Sequence, residues 1–184
     1  MIDPLRRFWH ATLAVVALVA AKREAVDQRP ATAPLPCQSP FAAGLTDRAE
    51  QLLGAEEDGP ADRAPFQEAA SLLAQAVAAD KQCGRSFIHL AYARYRAGYA
   101  PCGNSSYSEA EAAARRGLEL AATADEEAAV YRHLGRIHAA KLRFGDAEAA
   151  FGHSLELAES REARRWLDDL AAKRRARPEL AQAV

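Results

Sequence analysis

The feature that most constrains this chain is an apolar spacing that recurs three times. An aromatic is followed by a small residue three positions on, an apolar residue seven on and a small residue ten on. The copies are Phe66, Ala69, Leu73 and Ala76; Tyr107, Ala110, Ala114 and Gly117; and Phe144, Ala147, Phe151 and Ser154. These offsets fall on one stripe of an α-helix and match no strand period. Small residues within such a stripe let a neighbouring backbone approach. A second pattern precedes the first: Tyr131, Leu134 and Gly135 match Phe87, Leu90 and Ala91. Glycine inside a helix costs about 1 kcal/mol relative to alanine, so Gly135 needs a compensating close contact.

"YRHLG" at 131–135 and "AEAAF" at 147–151 resemble the two halves of the tetratricopeptide repeat (TPR), an antiparallel helix pair. The resemblance covers roughly residues 43–160. It implies an all-α fold, a helix-turn-helix repeat solenoid of about three units, here standing behind an N-terminal hydrophobic segment. It also implies that Gly135 sits where the first helix of a pair meets the second, near Ala147, with Tyr131 and Phe151 filling the volume beside the crossing. His138 departs from the aromatic usual after the glycine, and Glu159 stands where a proline often closes the repeat. The middle copy has Ala91 and Ala114 at two signature positions, and "LTDRAEQLLG" matches the first copy only loosely. The middle copy is also longer by seven residues, which fall in "GYAPCGNSSYSEA", where Ser106 or Ser108 is placed to cap the next helix. The last run places Ala163, Trp166, Leu167, Leu170 and Ala171 on one stripe, as a helix covering the open end of a stack would.

Ahead of the repeats, Arg6 and Arg7 precede a nearly charge-free run from Phe8 to Ala21. As a helix its 14 residues span about 21 Å, short of the roughly 30 Å bilayer core. Residues 1–26 therefore read as a secretory signal or a short uncleaved anchor, with membrane contact through residues 8–21. Prolines 30, 34, 36 and 40 make residues 27–40 an extended linker. The helical domain then occupies 41–176 and a tail 177–184. This order predicts a membrane-anchored chain with its domain on the extracytoplasmic, periplasmic side. Oxidising surroundings would allow a disulfide. Of the three cysteines, Cys37 and Cys83 both precede the first helix of a repeat and form the preferred pair; Cys83 and Cys102 flank a single helix that would hold them about 20 Å apart.

Net charge is −1, from 24 basic and 25 acidic residues, which argues against nucleic acid as a partner. The cysteine spacing offers no zinc site, and no motif implies a metal, a cofactor or a catalytic group. What remains is surface. Ile88, Tyr92, Tyr95 and Tyr99 form a second apolar stripe on the helix that carries Phe87, Leu90 and Ala91, with Arg96 one turn beyond Tyr92. A helix with two apolar faces is either sandwiched or presents a groove. Arg132 and Arg136 take the matching places in the third copy and share one helix face. Ile88, Tyr92, Tyr95, Arg96, Arg132 and Arg136 are thus candidate groove residues for a protein partner with an acidic or C-terminal segment. The leading expectation is a non-enzymatic interaction module. By resemblance to the TPR family, it would scaffold or assemble an envelope complex. The alternative is an accessory subunit whose short N-terminal helix packs against other transmembrane helices.

Overall fold

The computed structural model describes residues 37–54, 63–98 and 104–176. The N-terminal hydrophobic segment, most of the linker, Tyr99, Cys102 and the tail lie outside the described residues. Seven α-helices and no strands occur among the described residues: α1 Pro40–Gly54, α2 Ala64–Ala79, α3 Gly84–Ala97, α4 Asn104–Leu120, α5 Ala124–Ala140, α6 Phe144–Leu157 and α7 Arg161–Ala176. Each packs against the next in sequence, and two further contacts skip one helix, joining α1 to α3 and α3 to α5.

Local chemistry sets where the helices begin. Ser39 accepts from the Ala42 amide at 3.3 Å ahead of α1, and Ser160 from the Ala163 amide at 3.2 Å ahead of α7. Thr123 caps α5 by accepting from the Glu126 amide at 3.2 Å. The Glu126 carboxylate reaches back to the Ala122 amide at 2.8 Å, so two otherwise unpaired donors are satisfied. Pro65 occupies the first turn of α2, where a missing amide hydrogen costs nothing. The helix α4 starts at Asn104, so Ser106 and Ser108 lie inside it and neither is its cap. The turn between α5 and α6 closes by two backbone bonds, Leu142 to the Ala139 carbonyl at 3.1 Å and Arg143 to the His138 carbonyl at 2.9 Å. This arrangement needs a left-handed residue, and Leu142 supplies it at φ 60°.

The repeated stripe lies in the core. The buried residues of α2 are Phe66, Ala69, Leu73 and Ala76. Tyr107, Ala110, Ala114 and Gly117 are buried on α4, and Ala147, Phe151 and Ser154 on α6, where Phe144 is half-buried. Gly135 lies directly under the ring of Phe151, where an added Cβ would meet Cζ at 2.7 Å. At Gly117 a Cβ would stand 3.1 Å from Ile88 Cγ1, so that small residue sets the approach of α4 to α3. Ala147, Phe151, Ala163 and Leu170 form the buried part of the α6–α7 seam. Trp166 stacks on Phe151 there with centroids 5.6 Å apart.

Candidate functional site

The N-terminal end of the described chain is tied down by a compact polar cluster. Cys37, ahead of α1, is bonded to Cys83, which precedes α3, with α-carbons 4.5 Å apart. Ser86 Oγ donates to Cys83 Sγ at 2.9 Å and lies 2.7 Å from Thr46 Oγ1, which donates to the Ala42 carbonyl at 2.8 Å. The buried Asp80 carboxylate accepts from the amides of Gln82 at 3.0 Å, Ser39 at 3.1 Å and Gln38 at 2.6 Å. Those donors, Gln82 foremost and against the cost of burial, hold its pKa below the usual carboxylate range. Covalent and hydrogen-bonded ties thus fix where the linker enters the helical domain.

Between α3 and α5 lies a cluster of aromatic rings and cations centred on Tyr92. Its ring meets Phe66 of α2 edge-on at 6.2 Å and stacks with His133 of α5 at 5.2 Å. Arg96 lies 4.2 Å from the Phe66 centroid and donates to the Tyr92 hydroxyl at 2.7 Å. Arg136 lies 5.0 Å from the Tyr92 centroid, within range of a cation–π attraction. Arg136 also approaches His133 Nδ1 at 3.2 Å and pairs with Glu162 of α7. A guanidinium can only donate, so Nδ1 carries the lone pair. Burial, followed by the charges of Arg136, His89 and Arg132, pushes the His133 pKa well below its ordinary value, so the ring is neutral. Burial draws Arg132 below its ordinary range, with Glu162 opposing and Arg136 adding to the fall. Among the described residues no carboxylate lies within 4.0 Å of Arg96 or Arg132.

The candidate groove residues divide. Tyr92, Arg96 and Arg136 come together, and Arg132 sits one turn from Arg136 on α5. Ile88 and Tyr95 do not join them; they are 4% and 8% exposed. Ile88 packs against Gly117, and Tyr95 faces Tyr107 at 6.2 Å, both on α4. The reason is that α3 touches α1, α2, α4 and α5. Its second apolar stripe is therefore sandwiched along most of its length, and only the Tyr92–Arg96 turn reaches the face. Arg136 differs too from the expectation of a waiting cation, because Glu162 already pairs with it.

Three features carry no distinctive local signal in the sequence. His133 joins the cluster through Tyr92 and Arg136, contacts that sequence spacing does not announce. Glu50 on α1 pairs with Arg85 and His89 on α3. Burial opposes ionisation of Glu50, yet bonds from His89 and Arg85 outweigh it and hold its pKa at about 2. Glu111 on α4, 8% exposed, accepts from Lys141 and Arg115, both at 2.7 Å. Burial again raises its pKa and those bonds override it, to about 2. Lys141 belongs to the α5–α6 turn, so this pair pins α4 to it.

No three His, Cys, Asp or Glu side chains among the described residues are grouped to hold a metal ion. No helix among them is long and apolar enough to cross a membrane, and the run from Phe8 to Ala21 lies outside them. No protein-family model matches the chain, and neither does any curated protein sequence.

Proposed function

We propose that this chain is a membrane-anchored or exported protein–protein interaction module. In this reading, three TPR-like helix pairs, α1–α2, α3–α4 and α5–α6, stack as a solenoid, and α7 covers its end. The packing of Gly135 under Phe151 and the contacts of α1 with α3 and of α3 with α5 support that architecture. The first helices of the pairs then line one face, and that face docks an acidic or C-terminal segment of a protein partner in an envelope complex. The observation that carries the reading is the Tyr92 cluster. It sets the half-buried Tyr92 ring beside Arg96, with Arg132 one turn along α5 from Arg136; neither Arg96 nor Arg132 has a carboxylate within 4.0 Å among the described residues. Guanidinium forks suit bidentate contact with carboxylates, and Tyr with Arg is the pairing enriched where binding energy concentrates.

The test is capture of partners from detergent-solubilised membranes by the full-length chain, compared with an Arg96→Ala/Arg132→Ala variant. The reading predicts a partner held at low salt, released as salt rises, and lost to the variant while its helical circular dichroism is retained. Equal capture by both proteins at every salt concentration would exclude this face as the docking site.

A further inference from the structure

We infer that Glu162 of α7 is an internal occupant of the arginine face, competing with the anionic partner for Arg136 and Arg132. The inference rests on the docking reading above and adds its regulation. Glu162 sits across from α5 and is the carboxylate that Arg136 grips. It also acts electrostatically on Arg132, one turn earlier on the same helix. It therefore already does what an anionic segment laid along this face would do.

The two partners of this ion pair are held very differently. The Arg136 side chain is 13% exposed, while that of Glu162 is 43% exposed. Arg136 keeps its position without Glu162, because the Tyr92 ring and His133 Nδ1 hold it from α3 and α5. Glu162 lies in the first turn of α7, just after the Ser160 cap. The grip of α7 on α6 begins at Ala163 and continues through Trp166 and Leu170. Because its side chain is half-exposed, a change of rotamer releases Glu162 while α7 stays docked. A partner carboxylate replaces it one for one, on a guanidinium that is already oriented. Charge balance is preserved throughout, and the cost to the partner is the displaced ion pair.

Binding of an N-terminally fluorescein-labelled penta-glutamate peptide to the full-length protein in detergent, followed by anisotropy, tests this. Glu162→Gln keeps the side-chain shape and removes the charge; it should tighten binding by about 1.5- to 5-fold, the scale of a partly exposed ion pair. Glu162→Asp keeps an acid in the first turn for the helix dipole and withdraws it from Arg136; it should also tighten binding, which separates the contact from the dipole. In an Arg136→Ala background the Glu162→Gln gain should disappear. If the peptide binds the wild type, weakens with Arg96→Ala/Arg132→Ala, and binds Glu162→Gln no tighter, the competition is refuted and the docking face stands. If neither wild type nor Glu162→Gln binds the peptide, both inferences fail.

Discussion

Replacing Gly135 by alanine sets two known effects against each other, and the structure says which wins. In an open helical position the change is favourable by about 1 kcal/mol, because alanine loses less backbone entropy. At Gly135 the new Cβ would lie 2.7 Å from Phe151 Cζ and 2.8 Å from both Cε atoms. Ordinary van der Waals contact between carbons needs about 3.5–4.0 Å, so the ring must retreat by most of an ångström. It has little room. Phe151 is fully buried, and Trp166 stacks against it at 5.6 Å. Overpacking of this kind costs about 1–3 kcal/mol. Gly135→Ala should therefore destabilise by about 1–2 kcal/mol after the helix gain is subtracted, and Gly135→Leu by more. Gly152 is the internal control: it lies in α6 with nothing within 4 Å of its added Cβ, so Gly152→Ala should stabilise by about 0.5–1 kcal/mol. Urea unfolding of both single variants gives the comparison. If Gly135→Ala stabilised the protein as Gly152→Ala does, the assigned contact between α5 and α6 would be wrong.

Leu142 is 70% exposed and holds φ at 60°, so Leu142→Gly should stabilise by about 0.5–1 kcal/mol by thermal unfolding, with little burial lost. Glu111 is ionised well below the ordinary carboxylate range when folded. Its stabilisation is fully present above the unfolded pKa of 4.5 and is lost as pH falls towards about 2. That amounts to about 3 kcal/mol. Unfolding profiles should accordingly diverge between the wild type and Glu111→Gln above pH 5 and converge near pH 2; parallel profiles would remove the proposed linkage. The Cys37–Cys83 bond closes a loop of sequence separation 46, so its reduction should lower stability by up to about 4 kcal/mol. Mass mapping of the oxidised chain that joined Cys83 to any other cysteine would contradict the clamp around Asp80.

Where side-chain spacing alone decides, the sequence was readable. Phe66, Ala69, Leu73 and Ala76 are one stripe by helical arithmetic, and those four residues are the ones α2 buries. Gly135 is legible for the same reason, since a glycine in a run of strong helix formers asks for a close neighbour. The resemblance to the TPR places Gly135 near Ala147 with Tyr131 and Phe151 beside it, and the Phe151 ring is what covers the glycine. Ile88 and Tyr95 show where this reasoning stops. Two apolar stripes on one helix are equally consistent with a groove and with a sandwich, and the choice depends on how α4 packs on α3, setting Gly117 against Ile88 and Tyr107 beside Tyr95. Arg136 fails the local reading in a similar way. Its spacing from Arg132 suggests two cations awaiting a partner, whereas Glu162, 26 residues on, already supplies a charge. Asp80 is a turn residue by composition, and nothing adjacent to it signals that it will gather amides from Gln38 and Ser39.

The central claim is that the Tyr92 face docks an acidic segment of a partner protein. The most direct measurement is site-specific photo-crosslinking in intact cells, with benzoylphenylalanine replacing Tyr92 in the full-length chain. The account predicts one discrete adduct whose mapped partner segment is rich in Asp or Glu or ends in a free C-terminus, and which is lost on Arg96→Ala/Arg132→Ala. Adducts that form only with residues of this chain, or that persist unchanged in that variant, would contradict it.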